Sequence, residues 1–89
     1  MAESRTYEVR FLVTARRELL RVPAQIRSRV ANALRALAAD PRPSGCQKLT
    51  SGTDYYRIRV SDYRVLYEVR DRDVLVLVIK IGHRREVYQ

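Results

Sequence analysis

The stretch YYRIRVSDYRVLY, residues 55–67, reads as two short strands joined by a tight turn at Ser61-Asp62. Side chains alternate across a strand. Tyr56, Ile58 and Val60 therefore leave by one face, and Arg57 and Arg59 by the other. A two-residue turn sets Val60 opposite Tyr63, Ile58 opposite Val65, Tyr56 opposite Tyr67 and Arg59 opposite Arg64. The apolar residues, extended by Val69, then form one face able to take helices. Arg57, Arg59 and Arg64 share the other face with Tyr55, Leu66 and Glu68. A three-residue loop would break this parity and scatter the arginines, so the coherent apolar face argues for the shorter turn. Like charges directly opposite one another in a sheet are destabilising. Two readings follow. The arginines form a solvated outer face with Glu68 as a local counter-charge, or they are clustered to meet a polyanion such as an RNA backbone or an acidic peptide.

Working outward, RTYEVRFLV (residues 5–13) alternates as a half-buried strand, with Tyr7, Val9, Phe11 and Val13 on one face. Thr14 stands where an N-cap would, ahead of a short helix ARRELLRV. Pro23 ends that helix and can open the next at its first position. In PAQIRSRVANALRALAAD, Ile26, Val30, Ala33, Leu34 and Leu37 recur at helical spacing, which predicts a helical hairpin. Residues 40–54, DPRPSGCQKLTSGTD, carry two prolines and two glycines and read as a loop. Strands are expected over 55–60, 63–70 and 74–81, with Asp71-Arg72 as a second tight turn. VLVLVIKI is apolar on both faces until Lys80, so its strand should be central, covered on each side or partly at an interface. The order β-α-α-β-β-β predicts a single α+β domain over residues 1–89. Its expected form is an antiparallel sheet of about four strands in order 1-4-3-2, with the two helices on one face.

Composition sets the class of partner. Eighteen basic residues against ten acidic ones give +8, and the pI is near 10.4. The excess is spread along the chain, so a basic surface must be assembled by the fold. Such a charge on a small domain favours a nucleic acid or an acidic protein as partner. The single cysteine, Cys46, excludes an internal disulfide and, with the single His83, leaves no metal-binding cluster. No cofactor is expected. No stretch is long and apolar enough to span a membrane, and the N-terminus lacks the order of a signal peptide. The chain reads as cytoplasmic, with no membrane partner.

The C-terminal GHRREVYQ places His83, Arg84, Arg85, Glu86 and Tyr88 close together in sequence. Cleavage of an RNA phosphodiester requires the 2′-hydroxyl to lose a proton, the crowded phosphorane to be neutralised, and the leaving 5′-oxygen to gain a proton. Arginines supply the neutralisation. A histidine or tyrosine can move protons, and surrounding positive charge lowers a tyrosine's pKa. Taken alone, His83 reads as a surface or turn residue and Tyr88 as an anchor of the terminus.

Nearly end to end, the chain resembles the RelE family of bacterial toxins from toxin–antitoxin pairs, chiefly through YRIRVSDYRVLYEV and VIKIGHRREVY. The resemblance implies a metal-independent ribonuclease that enters the ribosomal A site and cuts mRNA there, leaving a 2′,3′-cyclic phosphate and a 5′-hydroxyl. By motif, Arg64 and Arg84 are implied to steady the scissile phosphate. Tyr88 is implied to orient or deprotonate the 2′-hydroxyl and to stack on a base. Arg57 and Arg59 stand where the best-known members carry lysines; with Arg85 and Lys48 they are expected to bind RNA phosphates. Arginine does not readily lose a proton, so His83 is the candidate carrier in place of those lysines. Its place beside Arg84 resembles histidine-bearing relatives, which implies a catalytic or base-stacking role. Implied partners are a neutralising RelB-like antitoxin, the 70S ribosome with mRNA in the A site, and operator DNA only through the antitoxin complex. Two alternatives use the same scaffold. One is a ParE-like poison of DNA gyrase without nuclease chemistry; the other is an inactive member whose residues serve only antitoxin or operator-complex binding.

Overall fold

The computed structural model describes residues 6–50 and 52–87. Its elements are β1 (Glu8–Phe11), α1 (Val13–Arg21), α2 (Ala24–Ala39), β2 (Gln47–Lys48), β3 (Tyr55–Val60), β4 (Tyr63–Arg70), a 3-10 turn (Asp71–Asp73), β5 (Leu75–His83) and α3 (Arg84–Val87). The hairpin of β3 and β4 has the register its sequence predicts: Tyr56 faces Tyr67, Ile58 faces Val65, Arg59 faces Arg64 and Val60 faces Tyr63. Ser61 takes a φ of 56°, the left-handed value a tight hairpin turn needs at its first position.

The five strands lie in the order β1-β5-β4-β3-β2. The predicted 1-4-3-2 order is kept, and β2 is added at the outer edge from within the segment expected to be loop. The sheet is mixed rather than antiparallel, because β1 runs parallel to β5, with Val9 beside Val76 and Phe11 beside Val78. The helical hairpin explains this. It returns the chain to the end of the sheet where β1 starts, and there the Tyr7 amide donates to the Ala38 carbonyl at 2.7 Å. β3 therefore sets out in the direction of β1, and two reversals leave β5 running the same way.

The local signals shift by a residue or two. α1 begins at Val13 with Leu12 as its N-cap, so Thr14 lies inside the first turn and caps nothing. Pro23 is the N-cap of α2, one position earlier than expected, and its carbonyl accepts from the Arg27 amide at 2.7 Å. Asp71-Arg72 is not a two-residue turn: the 3-10 turn runs through Asp73, and Val74 follows in the left-handed region at φ 50°. β5 accordingly starts at Leu75 and continues through His83.

The core lies between the helices and one sheet face. Val30, Leu34 and Leu37 of α2 and Ala15 of α1 cover Val65, Tyr67, Val69, Val76, Val78 and Ile81, all buried. Each large side chain buried there contributes about 1.5–3 kcal/mol relative to exposure. On the opposite face Leu75, Leu77 and Ile79 are only half-buried, so the helices cover β5 on one side. Where the strands β1, β3 and β5 start, Arg42 pins the sheet. It forks onto Asp71 (2.8 and 3.2 Å), donates to the Tyr56 hydroxyl (2.9 Å) and stacks over that ring, while Tyr7 donates to the same carboxylate at 2.6 Å. Tyr67 is buried beside it, stacked on Tyr56, and its hydroxyl donates to the Pro41 carbonyl at 2.7 Å.

Candidate functional site

On the face away from the helices the arginines form rows across the strands. Gln47, Arg57 and Leu66 lie in one; Arg59, Arg64 and Gly82 lie in the next. They surround a cleft of about 270 Å³ lined by Gly45, Gln47, Arg57, Ile58, Arg59 and Arg64. Gly45 holds a φ of 92°, a conformation that suits glycine, as the chain turns into β2. Arg57 donates to the Gln47 side-chain oxygen, and Arg59 Nε donates to the Ser61 carbonyl at 3.2 Å. None of the three arginines pairs with a carboxylate among the described residues. Glu68 does not serve as their counter-charge, because it is engaged by Arg70 Nε at 3.0 Å. Arg64 Nη1 is buried without a hydrogen-bond partner among the described residues. A buried donor without a partner carries a desolvation penalty of about 1–3 kcal/mol, more when charged. An incoming anion with paired oxygens would relieve it through the guanidinium fork.

The C-terminal residues reach this site unequally. The Arg84 amide donates to the Asp62 carbonyl at 2.8 Å, which fixes the start of α3 against the hairpin turn next to Arg59 and Arg64. Arg84 and Arg85 are both exposed. His83 lies on the other side of the sheet. It pairs with Tyr63, which packs on the core, and the two rings meet edge to face at 5.5 Å. Its Nδ1 accepts from the Arg85 amide at 3.3 Å. The sheet thus separates the His83 ring from the arginine trio, because one step along a strand changes the face. Lys48 is also turned away, since it stands opposite Tyr56, whereas Gln47 opposite Arg57 joins the cationic face. Tyr88 lies outside the described residues. Sequence reasoning missed Gln47, whose two-residue strand has no periodic signal, and Lys80, which stands across from Leu66 on the arginine face. Among the described residues no three His, Cys, Asp or Glu side chains gather as metal ligands.

Two helices on one face of a small mixed sheet are the architecture of the RelE/ParE class of type II toxins, to which the chain's similarities point. The chain overlays, at a TM-score of 0.80 and 30% identity, the archaeal RelE–RelB complex of Pyrococcus horikoshii OT3, covering 89% of this chain and 96% of that one. The RelBE2 toxin–antitoxin complex of Mycobacterium tuberculosis gives 0.78 at 29% identity, covering 94% and 98%. In sequence, Toxin RelG of Mycobacterium tuberculosis is 33% identical over 86 residues, which span 93% of this chain and 97% of RelG. Residues 9–88 match the family described as the ParE toxin of the type II toxin–antitoxin system parDE, and the chain belongs to that family.

Proposed function

We propose that this toxin is a ribosome-dependent mRNA endonuclease that cuts in the A site, and that a RelB-like antitoxin neutralises it. The supporting observation is the buried, unpartnered Nη1 of Arg64 in a cleft shared with Arg57 and Arg59. Three guanidinium groups without a carboxylate are poorly arranged for folding and well arranged for a phosphate. In the reaction the 2′-oxygen bonds to phosphorus and the bond from phosphorus to the 5′-oxygen breaks. One proton leaves the 2′-hydroxyl and one arrives at the leaving oxygen. Arg64 binds the non-bridging oxygens, Arg57 and Arg59 hold the flanking backbone, and Arg84 reaches the same phosphate from the start of α3. Arginine does not relay protons, so Tyr88 is the residue of this chain assigned to the 2′-hydroxyl. His83, behind the sheet, is assigned to supporting the turn into α3. Arg85 is kept as an RNA contact from α3, and operator DNA is met only through the antitoxin complex.

The test is mRNA cleavage on programmed 70S ribosomes. Arg84→Ala should abolish A-site cutting and growth arrest while leaving the melting temperature unchanged. Near wild-type cutting by that variant and by Arg64→Ala would overturn the assignment. Tyr88→Phe separates a role for the hydroxyl, seen as a large loss of rate, from stacking, seen as a small one. The description of the matched family as ParE toxins keeps gyrase as the second reading. Inhibition of purified gyrase with ribosome-bound mRNA left intact would establish it.

A further inference from the structure

β5 is not a regular strand. Tyr67 pairs with Val78 and Leu66 pairs with Lys80, so Ile79 is an extra residue that opposes nothing on β4. Without this bulge Lys80 would stand across from Val65, a fully buried core position. With it, Ile81 takes the core position and Lys80 moves to the face of Arg57 and Arg64. Bulges that re-aim side chains in this way recur beside functional sites. Lys80 is also the diagonal neighbour of Arg64, two residues from the Gly82 that Arg64 faces, a separation long side chains span. Gly82 has no side chain to stand between them.

At rest the ammonium is drawn around the sheet edge. β1 ends opposite Val78, so the edge of β5 beyond it is covered by α1 instead. There Glu18 accepts from the Ile81 amide at 2.8 Å with one oxygen and from Lys80 Nζ at 3.0 Å with the other. The Lys80 side chain is 41% exposed and that of Glu18 25%, so the pair is partly open to solvent and partly screened. If Lys80 swings away, the Glu18 carboxylate keeps its backbone partner and is not left bare. Arg21 and Glu18 line the adjoining cleft with Lys80.

We propose that Lys80 is a further phosphate-binding cation of the arginine face, restrained at rest by Glu18 and released to the RNA phosphate next to the one held by Arg64. Glu18 is then a positioning residue that acts through Lys80. The inference rests on the reading of this face as an RNA site.

The experiment measures binding of a fluorescent single-stranded RNA, 2′-O-methylated to prevent cleavage, across a salt series by anisotropy. Each lost phosphate contact on a single strand reduces the salt slope by about 0.7. Lys80→Ala should show that reduction, so that a fourfold rise in salt costs it roughly threefold less affinity than wild type. Lys80→Arg should restore the wild-type slope. Glu18→Gln keeps an oxygen for the Ile81 amide and should tighten binding, and the gain should vanish in Glu18→Gln/Lys80→Ala. An unchanged slope in Lys80→Ala, or tightening by Glu18→Gln that survives in the double variant, overturns the proposal. Arg64→Ala, measured alongside, separates the levels. A reduced slope there with none in Lys80→Ala sinks Lys80 alone, whereas no effect of Arg64→Ala on binding or ribosomal cleavage sinks both.

Discussion

Arg42 and Arg64 both lie against the sheet, and they differ in what their guanidinium nitrogens meet. Arg42 has a carboxylate on its fork, a phenol on Nε and an aromatic ring beneath it. Arg64 faces another arginine across the hairpin and carries a buried nitrogen without a partner among the described residues. One set of contacts ties together β1, β3, the loop after α2 and the turn before β5. At the other end the backbone pairing of β3 and β4 holds the hairpin in spite of its charges. A satisfied arginine is part of the scaffold; under the proposed function, the unsatisfied one is completed by an RNA phosphate. The same chemistry therefore has opposite consequences at the two ends of one sheet.

The sharpest way to break this contrast is to truncate each arginine. Arg64→Ala should lower ribosomal cleavage by roughly 100–1,000-fold, the range for losing one preorganised donor to a developing oxyanion. Its melting temperature should be equal to or higher than wild type, since a repulsion and an unpartnered donor disappear together. A clear drop in melting temperature would show Arg64 to be a structural residue like Arg42.

Next in size is Tyr67→Phe. Tyr67 is fully buried and its hydroxyl satisfies the Pro41 carbonyl, one residue ahead of Arg42. Burial pushes its pKa up, so it remains a neutral donor. Removing the hydroxyl should cost about 1–2 kcal/mol in denaturant unfolding, because a buried acceptor loses its partner. Arg42→Ala should cost about 1 kcal/mol, since its pair with Asp71 is more than one-third exposed and screened. Cleavage should survive in both. Loss of cleavage in proportion to stability would erase the distinction between the two ends.

The contrast also marks what a sequence discloses. The register of β3 and β4 follows from alternation and a two-residue turn, so the cluster of Arg57, Arg59 and Arg64 could be read from thirteen residues. The parallel course of β1 was within reach too, since the helical hairpin and two reversals fix it by counting. The bulge at Ile79 was not. VLVLVIKI looks equally apolar with or without an extra residue, and only packing decides that Ile81, not Lys80, fills the core. That one residue moves Lys80 to the cationic face and His83 to the helix face. Lys48 and Gln47 sit on a two-residue strand, too short for periodicity to say which of them turns toward the cleft.

The smallest effect concerns the charge on Asp71. Hydrogen bonds from Arg42, then from Tyr7, hold its carboxyl below the ordinary carboxylate value of ~3.9. A carboxyl whose pKa is depressed by folding stabilises the fold when ionised. That contribution is fully present above the unfolded pKa and is lost as pH falls through the folded one. With half of the Asp71 side chain open to solvent, it should be a few tenths of a kcal/mol. Asp71→Asn should therefore unfold slightly more easily than wild type at pH 7. The difference should shrink below pH ~4, as the wild-type carboxyl is protonated too. Arg64 has no carboxylate to titrate, so Arg64→Ala should keep a constant offset from wild type over the same range. An offset that moves with pH in Arg64→Ala would mean that acidic groups outside these contacts neutralise the arginine face, and one that stays fixed in Asp71→Asn would mean that the charge on Asp71 does not stabilise the fold.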